Sequence, residues 1–97
     1  MFEIFWTPEA RDAYHLLRDD LSKQKRYKAV RKTLELLAAD PRHNSLQTHE
    51  YFSLKGPKGE KIFEAYAEQN TPAAYPVFWY YGPDKGQITV FAITPHP

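Results

Sequence analysis

The sequence predicts an α+β fold in which a two-helix hairpin packs against one antiparallel sheet. Three observations predict it: a short alternating run opens the chain, apolar residues then recur at helical spacing as far as residue 39, and aromatic-rich segments near the end alternate with period two. The 97 residues, 42% of them hydrophobic and 26% charged, have ordinary globular composition. We therefore predict a single domain over residues 1–97.

The first half of the chain is predicted to hold a strand and two helices. Residues 2–6 alternate as a strand does, and Thr7-Pro8-Glu9 is typical of a helix start, since Thr caps and proline needs no amide partner there. The first helix is predicted to run to about Asp20. The second runs over residues 22–39 and ends at Asp40-Pro41. The predicted apolar stripes are Ala10, Ala13, Leu17 and Leu21 in the first helix, and Tyr27, Val30, Leu34 and Leu37 in the second.

The second half is predicted to complete the sheet. Residues 42–59 lack periodicity and contain turn residues, so they predict loops, with a short strand or turn at residues 51–54. Three strands are predicted at residues 61–68, 75–81 and 87–93. The predicted order is therefore an N-terminal strand, an antiparallel helical hairpin and a three-stranded antiparallel meander that completes one sheet.

Composition excludes several classes of function. The chain has no cysteine, which excludes disulfides and thiolate sites and favours a reducing cytoplasm. It has no apolar run of membrane length, and it does not begin like a signal peptide. The four histidines are scattered without metal-ligand spacing, and no phosphate loop, nucleophile elbow or dinucleotide fingerprint is present. We therefore expect no metal, no cofactor and no membrane association.

The net charge of the chain is +1, which by itself gives no support for nucleic-acid binding. Two groups of cations nevertheless stand out in the sequence. The first group lies in residues 23–32, which contain no acid, and is either a solvated helix face or a dock for phosphates or an acidic partner segment. The second group consists either of ordinary loop residues or of residues that bind a phosphate backbone. The members are Lys23, Lys25, Arg26, Lys28, Arg31 and Lys32 in the first group, and Lys55, Lys58 and Lys61 in the second.

Three side chains have the chemistry of general acid–base catalysis. Glu64 and Tyr66 share one face of a predicted strand, and His96 follows the last strand between two prolines. A carboxylate, a phenol and an imidazole are groups that such catalysis uses. The alternative is a solvated Glu64, a packing Tyr66 and a loose terminal His96.

The order of these elements resembles that of the RelE/ParE-like toxins of bacterial toxin–antitoxin systems, over nearly the whole chain. No single motif is specific to this family, and the resemblance depends on the order in which the motifs occur. The segments that carry it are the opening strand, Thr7-Pro8-Glu9-Ala10, residues 36–42, Leu54-Lys55-Gly56, the strands at residues 62–68 and 75–81, and the tail that ends in Pro95-His96-Pro97.

The resemblance implies the toxin component of a type II toxin–antitoxin system, with an antitoxin that covers the active face. For the RelE branch it implies a metal-independent endoribonuclease, an mRNA interferase that cuts messenger RNA on the ribosome, and the expectation here is weak activity. His96 matches a catalytic position of the family and is expected to act as acid or base. Glu64 and Tyr66 are then expected to assist, and Lys55, Lys58 and Lys61 to position RNA.

A departure from the family pattern supports a non-catalytic alternative. Tyr75-Pro76 stands where the family commonly has an aromatic residue followed by an arginine that supports the phosphate. The alternative is a protein-binding module of the same fold, either a ParE-like inhibitor of DNA gyrase or an inactive relic. A third hypothesis is a small protein, unrelated to toxicity, that binds a partner through its aromatic face.

Overall fold

The computed structural model describes residues 1–66 and 76–94. It confirms the α+β class. Short 3-10 turns at Leu21–Lys23 and Asn44–Leu46 precede the second helix and the second strand. No helix in the described ranges is long and apolar enough to cross a membrane. In chain order the elements are β1 (Glu3–Trp6), α1 (Pro8–Asp19), α2 (Gln24–Ala39), β2 (His49–Lys55), β3 (Lys61–Ala65), β4 (Val77–Tyr81) and β5 (Gln87–Ile93).

The strands form one five-stranded sheet in the order β1-β5-β4-β3-β2. β1 pairs in parallel with β5, and the remaining pairs are antiparallel. The meander therefore has four strands in the described ranges, where the sequence predicted three. The additional strand is β2, of which only residues 51–54 were expected. The alternation of apolar and polar residues in β2 is obscured, because β2 is an edge strand and its register with β3 shifts between Glu50 and Lys55.

The predicted start of α1 is confirmed and ties the helix to the sheet. The Thr7 hydroxyl accepts a hydrogen bond from the Ala10 amide at 3.2 Å and donates one to the Phe91 carbonyl at 2.9 Å. The predicted stripe is wrong at one position, since Leu21 is 87% exposed. The helix ends at Asp19, and the Asp20 carboxylate then caps a 3-10 turn by accepting from the Ser22 amide, which turns Leu21 outward.

The main core lies between the helices and one face of the sheet. α2 contributes Val30, Leu34 and Leu37, all buried and all predicted, because they recur on one side of the helix. Facing them from the sheet are the buried side chains of Ala65, Val77, Trp79, Ile88, Val90 and Ile93. This packing fixes which sheet face is turned away from the helices.

An aromatic cluster joins the helices to the edge of the sheet. The Tyr14 ring lies 5.1 Å from the Trp6 ring and 5.4 Å from the Tyr27 ring, centroid to centroid. Burial, followed by a hydrogen bond with Tyr27, raises the pKa of Tyr14 to about 12. The phenol of Tyr14 is therefore held neutral at the junction of α1 and α2.

Candidate functional site

The sheet face turned away from the helices carries a second, largely aromatic cluster. Its buried members are Ile62, Phe78 and Tyr80, and the Tyr51 ring meets the Phe78 ring edge-on at 5.1 Å. Residues 61–66 alternate between the two faces, as strand side chains do. Phe63 and Ala65 pack on the helix side, whereas Ile62 and Glu64 lie on this second face.

Glu64 is a buried carboxylate on that face. Its side chain is 2% exposed, and in the register of the sheet it stands between His49 of β2 and Phe78 of β4. A carboxylate at such a position must be paired or hydrogen-bonded, because an isolated buried charge costs many kcal/mol. This buried carboxylate, in register with a histidine on one side and an aromatic residue on the other, is the centre of the candidate site.

His49 supplies a partner for this carboxylate. Its Nε2 lies 2.6 Å from Glu64 Oε1, and its Nδ1 lies 2.9 Å from the Gln47 carbonyl oxygen. A carbonyl only accepts, so Nδ1 donates to it, and the 2.6 Å contact places Nε2 and Oε1 within hydrogen-bond distance of each other. The His49 side chain is 51% exposed, so the buried carboxylate of Glu64 is connected to solvent through this imidazole.

The turn before β2 sets the position of His49. Gln47 has a φ of 45°, a left-handed conformation that only glycine adopts without cost, and it follows the 3-10 turn Asn44–Leu46. The amide of Gln47 donates to the Asn44 carbonyl at 3.1 Å, while its own carbonyl receives the His49 ring. Such backbone strain, of about 1 to 3 kcal/mol, is concentrated at functional sites.

Tyr66 completes the group, which we call the Glu64–His49–Tyr66 cluster. Its ring meets the His49 ring edge-on with centroids 6.4 Å apart, and its amide donates to the Leu46 carbonyl at 3.2 Å. The backbone bond attaches the end of β3 to the turn before β2. Two of the predicted site residues, Glu64 and Tyr66, therefore lie together, joined by His49, which the sequence had not singled out.

The predicted His96 lies outside the described residues. β5 ends at Ile93, which pairs with Val77, and Val77 pairs with Ala65. The end of β5 at Ile93 is thus at the same end of the sheet as the Glu64–His49–Tyr66 cluster.

The predicted loop lysines lie at the other end of β2 and β3. Lys55 and Lys61 are register partners, and Lys55 also contacts Glu50 with a nitrogen–oxygen distance of 3.7 Å. Lys61 is three residues from Glu64, about 10 Å along a strand, and by alternation it shares the helix-side face of Phe63. Lys58 is exposed on the connecting loop. The structure therefore does not bring these lysines to the cluster.

A metal site does not form among the described residues. No three His, Asp or Glu side chains in those ranges converge as ligands. The Glu64–His49–Tyr66 cluster offers a carboxylate in contact with an imidazole, a phenol and an exposed imidazole edge, groups that can exchange protons and form hydrogen bonds.

Comparison with known proteins identifies the fold. No protein-family profile and no curated protein matches the sequence. Among solved structures, the chain is similar to the YoeB dimer of Staphylococcus aureus, with 12% identity, a TM-score of 0.68 and coverage of 99% of this chain and 98% of that one. It is also similar to a YoeB/ParE toxin from Agrobacterium tumefaciens, with 11% identity, a TM-score of 0.71 and coverage of 99% and 100%. The chain thus has a RelE/ParE-like toxin fold, as the order of its elements indicated.

Proposed function

We propose that this protein is the toxin component of a type II toxin–antitoxin system and that it cleaves RNA without a metal. The observation that supports this best is the pair formed by the buried Glu64 carboxylate and the half-exposed His49 imidazole, 2.6 Å apart, on a RelE/ParE-like toxin fold. The proposal places a single domain over residues 1–97 in the cytoplasm. Its partners are a cognate antitoxin and messenger RNA, the latter on the ribosome.

The proposed reaction is transfer within the RNA chain. A base removes the proton of a 2′-hydroxyl, whose oxygen attacks the adjacent phosphorus. An acid protonates the departing 5′-oxygen, so that a 2′,3′-cyclic phosphate and a 5′-hydroxyl result. Negative charge grows on the phosphate oxygens in the transition state, and donors or cations must stabilise it. The chain offers candidates for the acid or base and for the groups that stabilise the charge.

His96 is proposed as the acid or base, at the end of the chain that follows β5. Glu64 assists by holding His49: with both ring nitrogens protonated, the exposed ring is a cation above a buried carboxylate, and it presents positive charge to a phosphate on this face. Tyr66 assists as a hydroxyl donor beside the same ring. Lys55, Lys58 and Lys61 are proposed to hold a more distant part of the RNA.

Induced expression in a bacterial host tests the proposal. Messenger RNA is followed by primer extension after induction, and the expected result is growth arrest with new 5′ ends within reading frames. The same cells should be rescued by a short gene next to the toxin gene, because an antitoxin with an acidic helical tail would cover the active face. Growth arrest with intact messenger RNA would contradict the ribonuclease proposal.

A second candidate function is a non-catalytic module of the same fold, and Pro76 favours it. This buried proline occupies the position at which the family resemblance leads us to expect a phosphate-supporting arginine. A gyrase inhibitor would arrest growth with intact messenger RNA, and a drug-resistant or altered gyrase would restore growth. An inactive relic would leave growth unchanged.

A further inference from the structure

The charge of this protein is strongly segregated along the chain. Six of its 13 Lys and Arg residues lie in residues 23–32, which contain none of its 12 Asp and Glu residues. The other seven cations share the rest of the chain with all 12 acids. The segment therefore carries a charge of +6, and the remainder carries −5, although the net charge is only +1.

The structure places these cations on an open surface. Every exposed residue between positions 23 and 32 is a Lys or Arg, and the apolar side chains of that stretch are buried or half-buried. In the described ranges, the one ion pair formed by these exposed cations joins Arg31 to Glu35 at 3.4 Å. We call this surface the α2 basic face, and its exposed members are Lys23, Lys25, Lys28, Arg31 and Lys32.

The α2 basic face points away from the rest of the protein. Lys25, Lys28 and Lys32 lie on one side of α2 and span about 10 Å of its axis, whereas the buried Val30 and Leu34 lie on the other side against the core. The Glu64–His49–Tyr66 cluster lies on the sheet face turned away from the helices. The sheet and the helix layer therefore separate the two surfaces.

We propose that the α2 basic face is a docking surface for the phosphate backbone of a folded RNA, separate from the cluster. The choice of RNA depends on the proposed RNA-directed function. Phosphate contacts gain affinity from released counterions and need no apolar anchor. An acidic peptide that orders on binding needs apolar contacts to offset its lost entropy, and the exposed residues of this face supply none.

The two surfaces imply a division of roles. An RNA that contacts both surfaces must extend around the protein. A folded RNA in a large particle can do this, whereas a short single strand cannot. The α2 basic face then contributes to affinity and to its salt dependence, while the cluster contributes to cleavage. Substitution of the α2 lysines is expected to raise KM and to leave kcat unchanged.

Fluorescence anisotropy with a labelled, fully 2′-O-methylated RNA hairpin tests the docking surface, because this RNA binds but cannot be cleaved through a 2′-hydroxyl. The test variant carries Lys25→Gln, Lys28→Gln and Lys32→Gln. The control variant makes the same charge change at three exposed cations elsewhere, Arg11→Gln, Arg42→Gln and Lys85→Gln. The slope of log affinity against log salt is expected to fall by about 2 to 3 in the test variant and to change little in the control.

Several results would overturn the docking surface. One is an equal loss in both variants, which would make the effect one of net charge alone. Another is an unchanged slope in the test variant. A third is tighter binding of a labelled polyglutamate peptide of equal charge, which would identify an acidic protein segment as the partner. Because the probe resists cleavage, these results are independent of whether the protein proves to be a ribonuclease.

Discussion

Glu64 of β3 and His49 of β2 stand opposite each other in the sheet, and their side chains meet at 2.6 Å. One partner is 2% exposed and the other 51% exposed, so the contact connects the interior of the protein to its surface. Hydrogen bonds that involve charged groups are about twice as strong as neutral ones, and the low dielectric around a buried carboxylate strengthens them further. The pair is therefore expected to affect both stability and activity.

A double-mutant cycle on this pair measures the coupling. His49→Ala removes the imidazole, and Glu64→Gln keeps the shape of the side chain but removes its charge. Each single variant is expected to lose about 1 to 3 kcal/mol of unfolding free energy in urea titrations, and the coupling energy is expected to be about 0.5 to 3 kcal/mol. Additive losses, with no coupling, would contradict a direct hydrogen bond between the two side chains.

RNA cleavage tests the chemical roles. His96→Ala is expected to lower the single-turnover rate on a messenger RNA by about 10²- to 10⁴-fold, the usual contribution of a general acid or base. Glu64→Gln is expected to lower the cleavage rate less, because Glu64 acts on the reaction through His49. The matched control is His15→Ala, which removes an exposed histidine of α1. Cleavage by His96→Ala at the rate of the control would remove His96 from the mechanism.

The helices and the late strands could be predicted from the sequence because their signals are local. The cap at Thr7, the end of α2 at Ala39 and the limits of β5 at Gln87 and Ile93 all lie where the pattern placed them, give or take a residue. Each depends on neighbours within one or two turns of chain. The exception is Leu21, whose helical spacing continues past the point at which Asp20 diverts the chain.

The pairing of His49 with Glu64 could not be predicted, because it depends on a register shift. Lys55 pairs with Lys61, so an uninterrupted hairpin would place Phe52 opposite Glu64. Between Glu50 and Lys55 the pairing instead shifts by three residues, since the four residues 51–54 face the single Ile62. Alternation in the sequence does not reveal such a bulge, and His49 therefore looked isolated. Knowledge of the hairpin loop and of the strained Gln47 would have reduced the number of possible registers between β2 and β3.

Core packing gives a prediction that is independent of function. Leu37 is fully buried between α2 and the sheet, and Leu37→Ala is expected to cost about 2 to 5 kcal/mol of unfolding free energy, through lost burial and the cavity it leaves. The matched control is Leu16→Ala on α1, which removes the same atoms from a side chain that is 72% exposed. That variant is expected to change stability by less than about 0.5 kcal/mol. Equal losses at both positions, measured by urea denaturation, would contradict the described packing.

Tyr14 predicts a loss of stability at alkaline pH. Its folded-state pKa of about 12 lies above the unfolded value of 10.0, mainly because burial disfavours the phenolate and secondarily because of the hydrogen bond with Tyr27. The contribution of neutral Tyr14 is thus fully present below pH 10 and is lost as pH rises from 10 towards 12. Tyr14→Phe cannot ionise, so its urea midpoint should fall less steeply over this range than that of the wild type. Parallel declines of the two proteins would show that Tyr14 is not the group responsible, and ultraviolet titration of tyrosinate in both would locate its ionisation directly.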